Sequence, residues 1–503
     1  MGLKIGFMAG FSRNNRLTFL MALALNVYFL FIGIGNTVGE YHSFRQSQTA
    51  ISTYYIAESG FAADYETPVM GEPWSIPLEF PVYQSAVALL YNMDFGISLD
   101  QSGRIVSILF FLLSLVPVYL TASLLLKDSG RALQFMALFL AAPVYIYWSR
   151  AFMIESAAFF FGITCLWLIL KYNRSGLHWL LALAAVAGAL CSLAKVTTWV
   201  VFSVPVLIAA FSNVMKDGKP VLNPTIIYKI AALFVIPFLT GYSWSVHAES
   251  VRNLNPLASL VFSRDTFFEW NFGDWGTKAL IAAAALLVLV IIIMITKKNP
   301  FRKLIFASYA SFAAGPVVFT NLYLVHDYYY YVNLIFLIIT VYLLILPLME
   351  NKEKSKAGAG GTLYFAVFAV FIGFYTIVYL PVQGKNNTSI SEFAGKVKSI
   401  TEKNDILLIY GHDWNSLIPY YAQRRAIMDR NDFSPEKAES LKIINRENRN
   451  RIKAMIVKKD YMLNRDFIKQ RVDYFGLDSL PAIVDSAYGA VYLKSRPVPG
   501  RRL

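Results

Sequence analysis

The chain has 503 residues, 56% of them hydrophobic and only 16% charged, which leaves too little polar surface for a soluble protein of this length and identifies a polytopic membrane protein. Its formal net charge is +14. Cytoplasmic loops rich in Lys and Arg, with one basic soluble segment, account for that excess, so no nucleic-acid partner is expected. The two cysteines, Cys165 and Cys191, lie in apolar runs and read as core residues, not as a disulfide or metal ligands.

Lys4, Arg13 and Arg16 precede the first apolar run, which is long and lacks a small-residue cleavage site. It reads as a retained span and not a removable signal. With ~20 apolar residues per crossing, spans are predicted near 17–35, 104–126, 131–147, 152–171, 178–193, 196–212, 227–245, 277–296, 303–322, 329–349 and 362–381, about eleven in all. The run from 180 to 211 is too long for one span and is divided at Lys195. Counted from a cytoplasmic N-terminus, each inner loop is then basic: Lys127 and Arg131; Lys171 and Arg174; Lys216, Lys219 and Lys229; Lys297, Lys298, Arg302 and Lys303; Lys352, Lys354 and Lys356. The first outer loop, 36–103, has Arg45 against Glu40, Glu58, Asp64, Glu66, Glu72, Glu79, Asp94 and Asp100. Two amphipathic stretches in it, near 45–59 and 79–92, are expected to lie at the interface.

A second outer loop, 246–276, is rich in Asn, Trp and charge. Beyond 386 the composition turns soluble: "DILLIYG" and "AMIVKK" read as buried strands, and "SPEKAESLKIINRENRNRIK" as a helix with Ser434 as its N-cap. The expected fold is mainly α and polytopic, with a membrane domain over 1–385. A small α/β domain over 386–503 follows on the outer side. No internal repeat is visible.

The centres of the spans are nearly free of charge. Polar residues gather at the predicted outer ends instead: Glu40, His42 and Arg45 in "GEYHSFRQ"; Arg150 and Glu155 in "SRAFMIES"; Lys195; Arg264 and Asp265 in "VFSRDTFFEW"; and His326, Asp327, Tyr328 and Tyr329 in "HDYYYYVN". Charge collected at one face marks a site on that face. Cations, carboxylates and aromatics together suit group transfer from a lipid phosphate: a cation neutralises the leaving phosphate, a carboxylate or imidazole takes the acceptor's proton, and aromatic faces hold sugar rings. Each residue alone also has a plain reading. Glu155 suits a helix N-terminus, Lys195 can snorkel, and the tyrosines suit an aromatic belt.

In their order along the chain these motifs resemble the polytopic GT-C glycosyltransferases. They are most like the group containing protein O-mannosyltransferases and the lipid A aminoarabinose transferase. The likeness spans roughly residues 1–345. It rests on "GEYHSFRQ" with the following "ESGF" and "GEPWSIPLEFPVYQ", on "SRAFMIES", on "LAKVTTW" and on "HDYYYYVNLIFL". The resemblance implies an inverting glycosyltransferase that takes a sugar from a polyprenyl-phosphate donor to a hydroxyl of a glycan, lipid or protein, without a cofactor or obligatory metal. It implies catalytic roles for Glu40, His42 and Glu155. Arg45, Arg150, Lys195, Arg264, Asp265, His326, Asp327, Tyr328 and Tyr329 would then bind substrate. The family's catalytic Asp aligns with Gly39 or with His42, so both Glu40 and His42 stand as bases. A lipid or sugar transporter is the alternative, disfavoured by the missing repeat and missing midplane charge. The odd number of spans places the C-terminus outside, in a multi-pass protein of the plasma (inner) membrane. A reporter joined after Leu503 is therefore expected to be active only on the extracytoplasmic side.

Overall fold

The structure is a computed structural model that describes residues 13–212, 215–216, 219–220, 225–350, 354–430 and 435–494. Lys4, Lys352 and Ser434 lie outside them. The chain packs as two compact units. Unit 1 is 1–34, 104–244 and 268–385, and unit 2 is 35–103, 245–267 and 386–503.

Unit 1 is helical. Among the described residues, six helices are long and apolar enough to cross a membrane: Leu99–Leu126, Glu155–Ser175, Ile226–Arg252, Trp275–Ile295, Asp327–Met349 and Gly358–Gln383. Two of these, Leu99–Leu126 and Ile226–Arg252, run past the unit boundaries. His178–Ala194 and Val196–Phe211 are apolar but shorter. The protein is therefore an integral membrane protein, with six helices of spanning length and apolarity among the described residues where about eleven spans were expected from segment length alone. Segment 131–147 shows why the counts differ. It breaks into Ser129–Ala141 and Pro143–Trp148 because Pro143 has no N–H and drives Ala142 to an extended conformation, φ −68°, ψ 127°. Segment 303–322 likewise divides, into Arg302–Val318 and Thr320–Val325.

Burial separates the helices by role. In Glu155–Ser175 67% of the apolar window is covered by protein, against 6% in Trp275–Ile295, whose bare apolar side chains suit a lipid-facing helix. The centre is aromatic: Phe139, Tyr145, Phe159, Phe202 and Tyr331 pack ring on ring, with Phe139 and Tyr145 centroids 4.2 Å apart. Gly162 lets the Glu155–Ser175 helix close on its neighbour, since a Cβ there would stand 2.5 Å from the Phe202 ring. Cys165 and Cys191 are buried free thiols.

Unit 2 is built on a five-stranded sheet of β1 (Ile406–Tyr410), β2 (Arg425–Asp429), β3 (Ile452–Val457), β4 (Ile483–Asp485) and β5 (Gly489–Leu493), in the order β2-β1-β3-β5-β4. The first three are parallel and buried on both faces, so their sequences are continuous apolar runs. The outer edge of β2 is not left open. Ala426 N–H donates to Pro68 O at 2.9 Å and Met428 N–H to Val69 O at 3.1 Å, so residues 68–70 extend the sheet. Arg425 clamps the same segment with a two-pronged ion pair to Glu66, 2.8 Å in each arm. Asn255 donates to the carbonyls of Met70, Gly71 and Pro73, while its Oδ1 caps the Pro256–Val261 helix.

The two amphipathic stretches form helices Ser43–Ser59 and Val82–Asn92. The first is buried on nearly every side from Gln46 to Ile56, packed against the second and against Leu417–Ala422. It is a core helix of unit 2 and not one resting on a membrane surface. Segment 246–276, expected as a loop, is largely helical as well: the long helix runs on to Arg252, followed by Pro256–Val261 and Arg264–Phe272.

Asp429 ends β2 half-buried. Burial raises its carboxyl from the ordinary 3.8 to about 6, against the opposing pull of Arg471. Below 3.8 both folded and unfolded chains hold the proton, so Asp429 has no effect there. Between 3.8 and about 6 the unfolded chain releases it first, and stability is lost as pH rises. Asp429→Asn is thus expected to stabilise unit 2 at pH 7.5 by about 1–3 kcal/mol, a range lowered for the partial solvent access of the side chain, and to gain nothing at pH 3. Hydrogen exchange of the β1 and β2 amides at the two pH values measures it.

Candidate active site

Lys195 ends one apolar helix, His178–Ala194, and begins the next, Val196–Phe211. Its own φ of −165° and ψ of 104° break the two apart. The predicted division at this residue is therefore present in the structure. The break turns the side chain onto Glu155, the first residue of the Glu155–Ser175 helix, with Lys195 Nζ 2.5 Å from Glu155 Oε1. The side chains are 5% and 1% exposed. A cation and an anion this deep in an apolar bundle hold one another there, since either alone would carry an uncompensated desolvation penalty. The helix N-terminus adds positive potential on the carboxylate. Glu155 Oε2 has no hydrogen-bond partner among the described residues.

The short Asp327–Tyr329 turn covers the pair. Lys195 Nζ lies 4.0 Å from the Tyr329 ring centroid and 5.2 Å from that of Tyr328. His326 stacks on Tyr328 at 5.2 Å and 24°. Asp327 turns elsewhere: Tyr379 donates its hydroxyl to Asp327 Oδ2 at 2.6 Å. Arg150 is fully buried and donates to the Gly33 carbonyl at 2.8 Å. Ser149, next to it, meets the Tyr331 hydroxyl at 2.9 Å. Within unit 1, then, Glu155, Lys195, Tyr328, Tyr329 and His326 form one cluster.

Unit 2 holds the other predicted residues. His42 is the N-cap of the Ser43–Ser59 helix in a left-handed conformation, φ 50°, ψ 39°, which is uncommon for a residue with a side chain. Its carbonyl accepts from the Arg45 and Gln46 amides at 2.9 and 3.1 Å, so the imidazole is carried on a fixed backbone. Glu40 is buried, and its carbonyl accepts from Ser43 N–H at 3.1 Å. Arg45 pairs with Glu79 and donates to Gln48 Oε1 at 2.5 Å. At Gly39 a Cβ would sit 3.3 Å from the Asn387 carbonyl oxygen, so the backbone passes close to a neighbour there. Asp265 is exposed in the first turn of the Arg264–Phe272 helix and is not brought to Glu40 or His42 by any hydrogen bond or ion pair. The Arg264 side chain lies outside the described residues.

Some polar anchors were not singled out from the sequence. Asp100 accepts from the Tyr420 hydroxyl at 2.5 Å and from Tyr421 at 2.8 Å, tying the first loop to the tail. In the sequence Tyr379 and Tyr331 are two more aromatics in apolar runs. Only their hydroxyl partners, Asp327 and Ser149, distinguish them.

Lys195→Met is expected to leave the Glu155 carboxylate buried alone and to destabilise unit 1 by about 3–5 kcal/mol. Adding Glu155→Leu should restore most of that loss. Thermal unfolding of both variants in detergent decides it.

No protein-family model matches the chain, and no curated protein matches it by sequence. Solved structures do match. ArnT from Cupriavidus metallidurans, bound to undecaprenyl phosphate, is similar with a TM-score of 0.61 at 12% identity, over 98% of this chain and 100% of that one. The arabinofuranosyltransferase AftD from Mycobacteria has a TM-score of 0.55 at 14% identity, over 97% of this chain and 40% of that one. The oligosaccharyltransferase AglB from Archaeoglobus fulgidus, with an inhibitory peptide and a dolichol-phosphate, has a TM-score of 0.52 at 12% identity, over 92% and 71%. The chain has the fold of the GT-C glycosyltransferases over nearly its full length.

Proposed function

We propose that this protein is an inverting glycosyltransferase that moves a sugar from a polyprenyl-phosphate carrier to a hydroxyl of a glycan, lipid or protein acceptor. The buried Glu155–Lys195 pair with its tyrosine cover carries the reading. Two structures of similar fold are described with a polyprenyl or dolichyl phosphate bound, which supports it. The protein would be multi-pass in the plasma membrane, with its N-terminus cytoplasmic and residues 386–503 extracytoplasmic.

In this reading Lys195 meets the donor phosphate, and Glu155 holds the ammonium in place through Oε1. The acceptor oxygen forms a bond to the anomeric carbon as the bond from that carbon to the phosphate oxygen breaks. The electron pair of the broken bond leaves on the phosphate, whose added charge a cation offsets. The acceptor proton goes to a general base, for which Glu40 and His42 stand as candidates and Glu155 as a third. Tyr328, Tyr329 and His326 offer faces for sugar rings, and Arg150, Arg264 and Arg45 are further cations. Asp327 and Asp265 would accept hydrogen bonds from sugar hydroxyls.

The test is transfer from radiolabelled polyprenyl-phosphate sugars by the purified chain. Sugar transfer or donor hydrolysis supports the reading, and donor movement across a vesicle membrane without consumption would favour a transporter. Glu155→Gln and Lys195→Ala are each expected to lose most activity in protein that still inserts. Wild-type turnover in either would remove that residue from the site.

Loss of the general base typically lowers the rate ~10²–10⁴-fold. Glu40→Gln is expected to show that loss with donor binding nearly intact. If His42→Ala shows it instead, the imidazole is the base. The pH–rate profile separates the two, because an imidazole takes up its proton at higher pH than a carboxylate.

A further inference from the structure

A cavity of about 540 Å³ opens among the helices of unit 1, far from the Glu155–Lys195 pair. Its wall is mostly apolar, with Val118, Leu166, Ile208, Ala307 and Phe336 among its lining. Its charged lining residues are Lys127, Arg174 and Lys303, all exposed. A second hollow of about 570 Å³ shares Lys127 and Lys303 with it and adds Arg131 and Arg302.

Arg174 lies in the last turn of the helix that Glu155 begins. That helix has 21 residues, so its ends are about 30 Å apart, the thickness of a bilayer core. The cationic mouth therefore lies at the opposite membrane interface from the Glu155–Lys195 pair. Nearby acids are already engaged: Glu350 holds Arg131 at 2.7 and 2.9 Å, and Asp128 caps a helix through Arg131 N–H at 2.8 Å. Arg174 donates to the Leu124 carbonyl. Among the described residues, Lys127, Arg174 and Lys303 have no carboxylate partner.

A mostly apolar chamber at hydrocarbon depth disfavours water, and three cations that pair with no carboxylate among the described residues favour an anion at its mouth. We infer that this cavity is a binding site for one acidic phospholipid, with an acyl chain in the chamber and the phosphate between Lys127, Arg174 and Lys303. A zwitterionic lipid fits less well because its ammonium would face the three cations. The inference stands apart from the proposed transfer reaction and uses none of its residues.

The test is native mass spectrometry of the full chain titrated with phosphatidylglycerol and with phosphatidylethanolamine. One phosphatidylglycerol is expected to be retained at least about tenfold more tightly. The triple variant Lys127→Gln, Arg174→Gln, Lys303→Gln should lose that preference. Ala307→Phe, which fills the chamber and leaves the cations, should weaken retention of both lipids. Equal retention by the wild type, a preference that survives the triple variant, or displacement of phosphatidylglycerol by equimolar undecaprenyl phosphate would each overturn the assignment. If the triple variant does not fold, Ala307→Phe decides: unchanged retention there overturns it.

Discussion

A lysine and a glutamate buried among apolar helices constrain everything around them. Lys195 cannot remain inside an uninterrupted apolar helix without a partner, and Glu155 cannot open one in a dry bundle without a cation. Their 2.5 Å contact satisfies both, and it requires a broken helix at 195 and a helix start at 155. It also requires something to shield the pair. The Asp327–Tyr329 turn does this with two aromatic faces and is itself anchored by the bond from Tyr379 to Asp327. A paired ion at this depth contributes little net stability, because desolvation offsets most of the attraction.

Unit 2 answers a different constraint. A parallel sheet needs both faces covered and its edges protected. A tail helix packs on the sheet through Phe467 against Tyr410, ring centroids 5.1 Å apart, and residues 68–70 seal the β2 edge with backbone hydrogen bonds. Glu66, Asp100 and Asn255, far apart in sequence from the strands, hold that arrangement with charged and amide side chains. The stretch that carries Glu40 and His42 is therefore mounted on a sheet domain whose strands begin more than three hundred residues later.

The two ends of unit 1 differ in chemistry as well as position. One has a paired and covered charge cluster, and the other has cations around an apolar chamber. The same helix, Glu155–Ser175, carries a carboxylate at its N-terminus and Arg174 in its last turn, as the helix dipole favours at each end.

The sequence by itself determined the membrane character, the apolar segments, the break at Lys195, the helix start at Glu155 and the strands in "DILLIYG" and "AMIVKK". These follow from local composition and periodicity, which act over a few residues. It also gathered Lys195, Glu155, Tyr328 and Tyr329 with the other polar residues at one face, without saying which of them meet; the contacts among these four come from the tertiary structure. Only the tertiary structure decided that Pro143 splits a span, that the Ser43–Ser59 helix is buried on nearly all sides, and that residues 35–103 pack with the tail. It alone distinguished Tyr379 and Tyr331 from other aromatics, and Asp100 from the other acids of its loop. Each of those outcomes depends on a partner dozens to hundreds of residues away, and neither hydropathy nor spacing along the chain records which distant groups will meet.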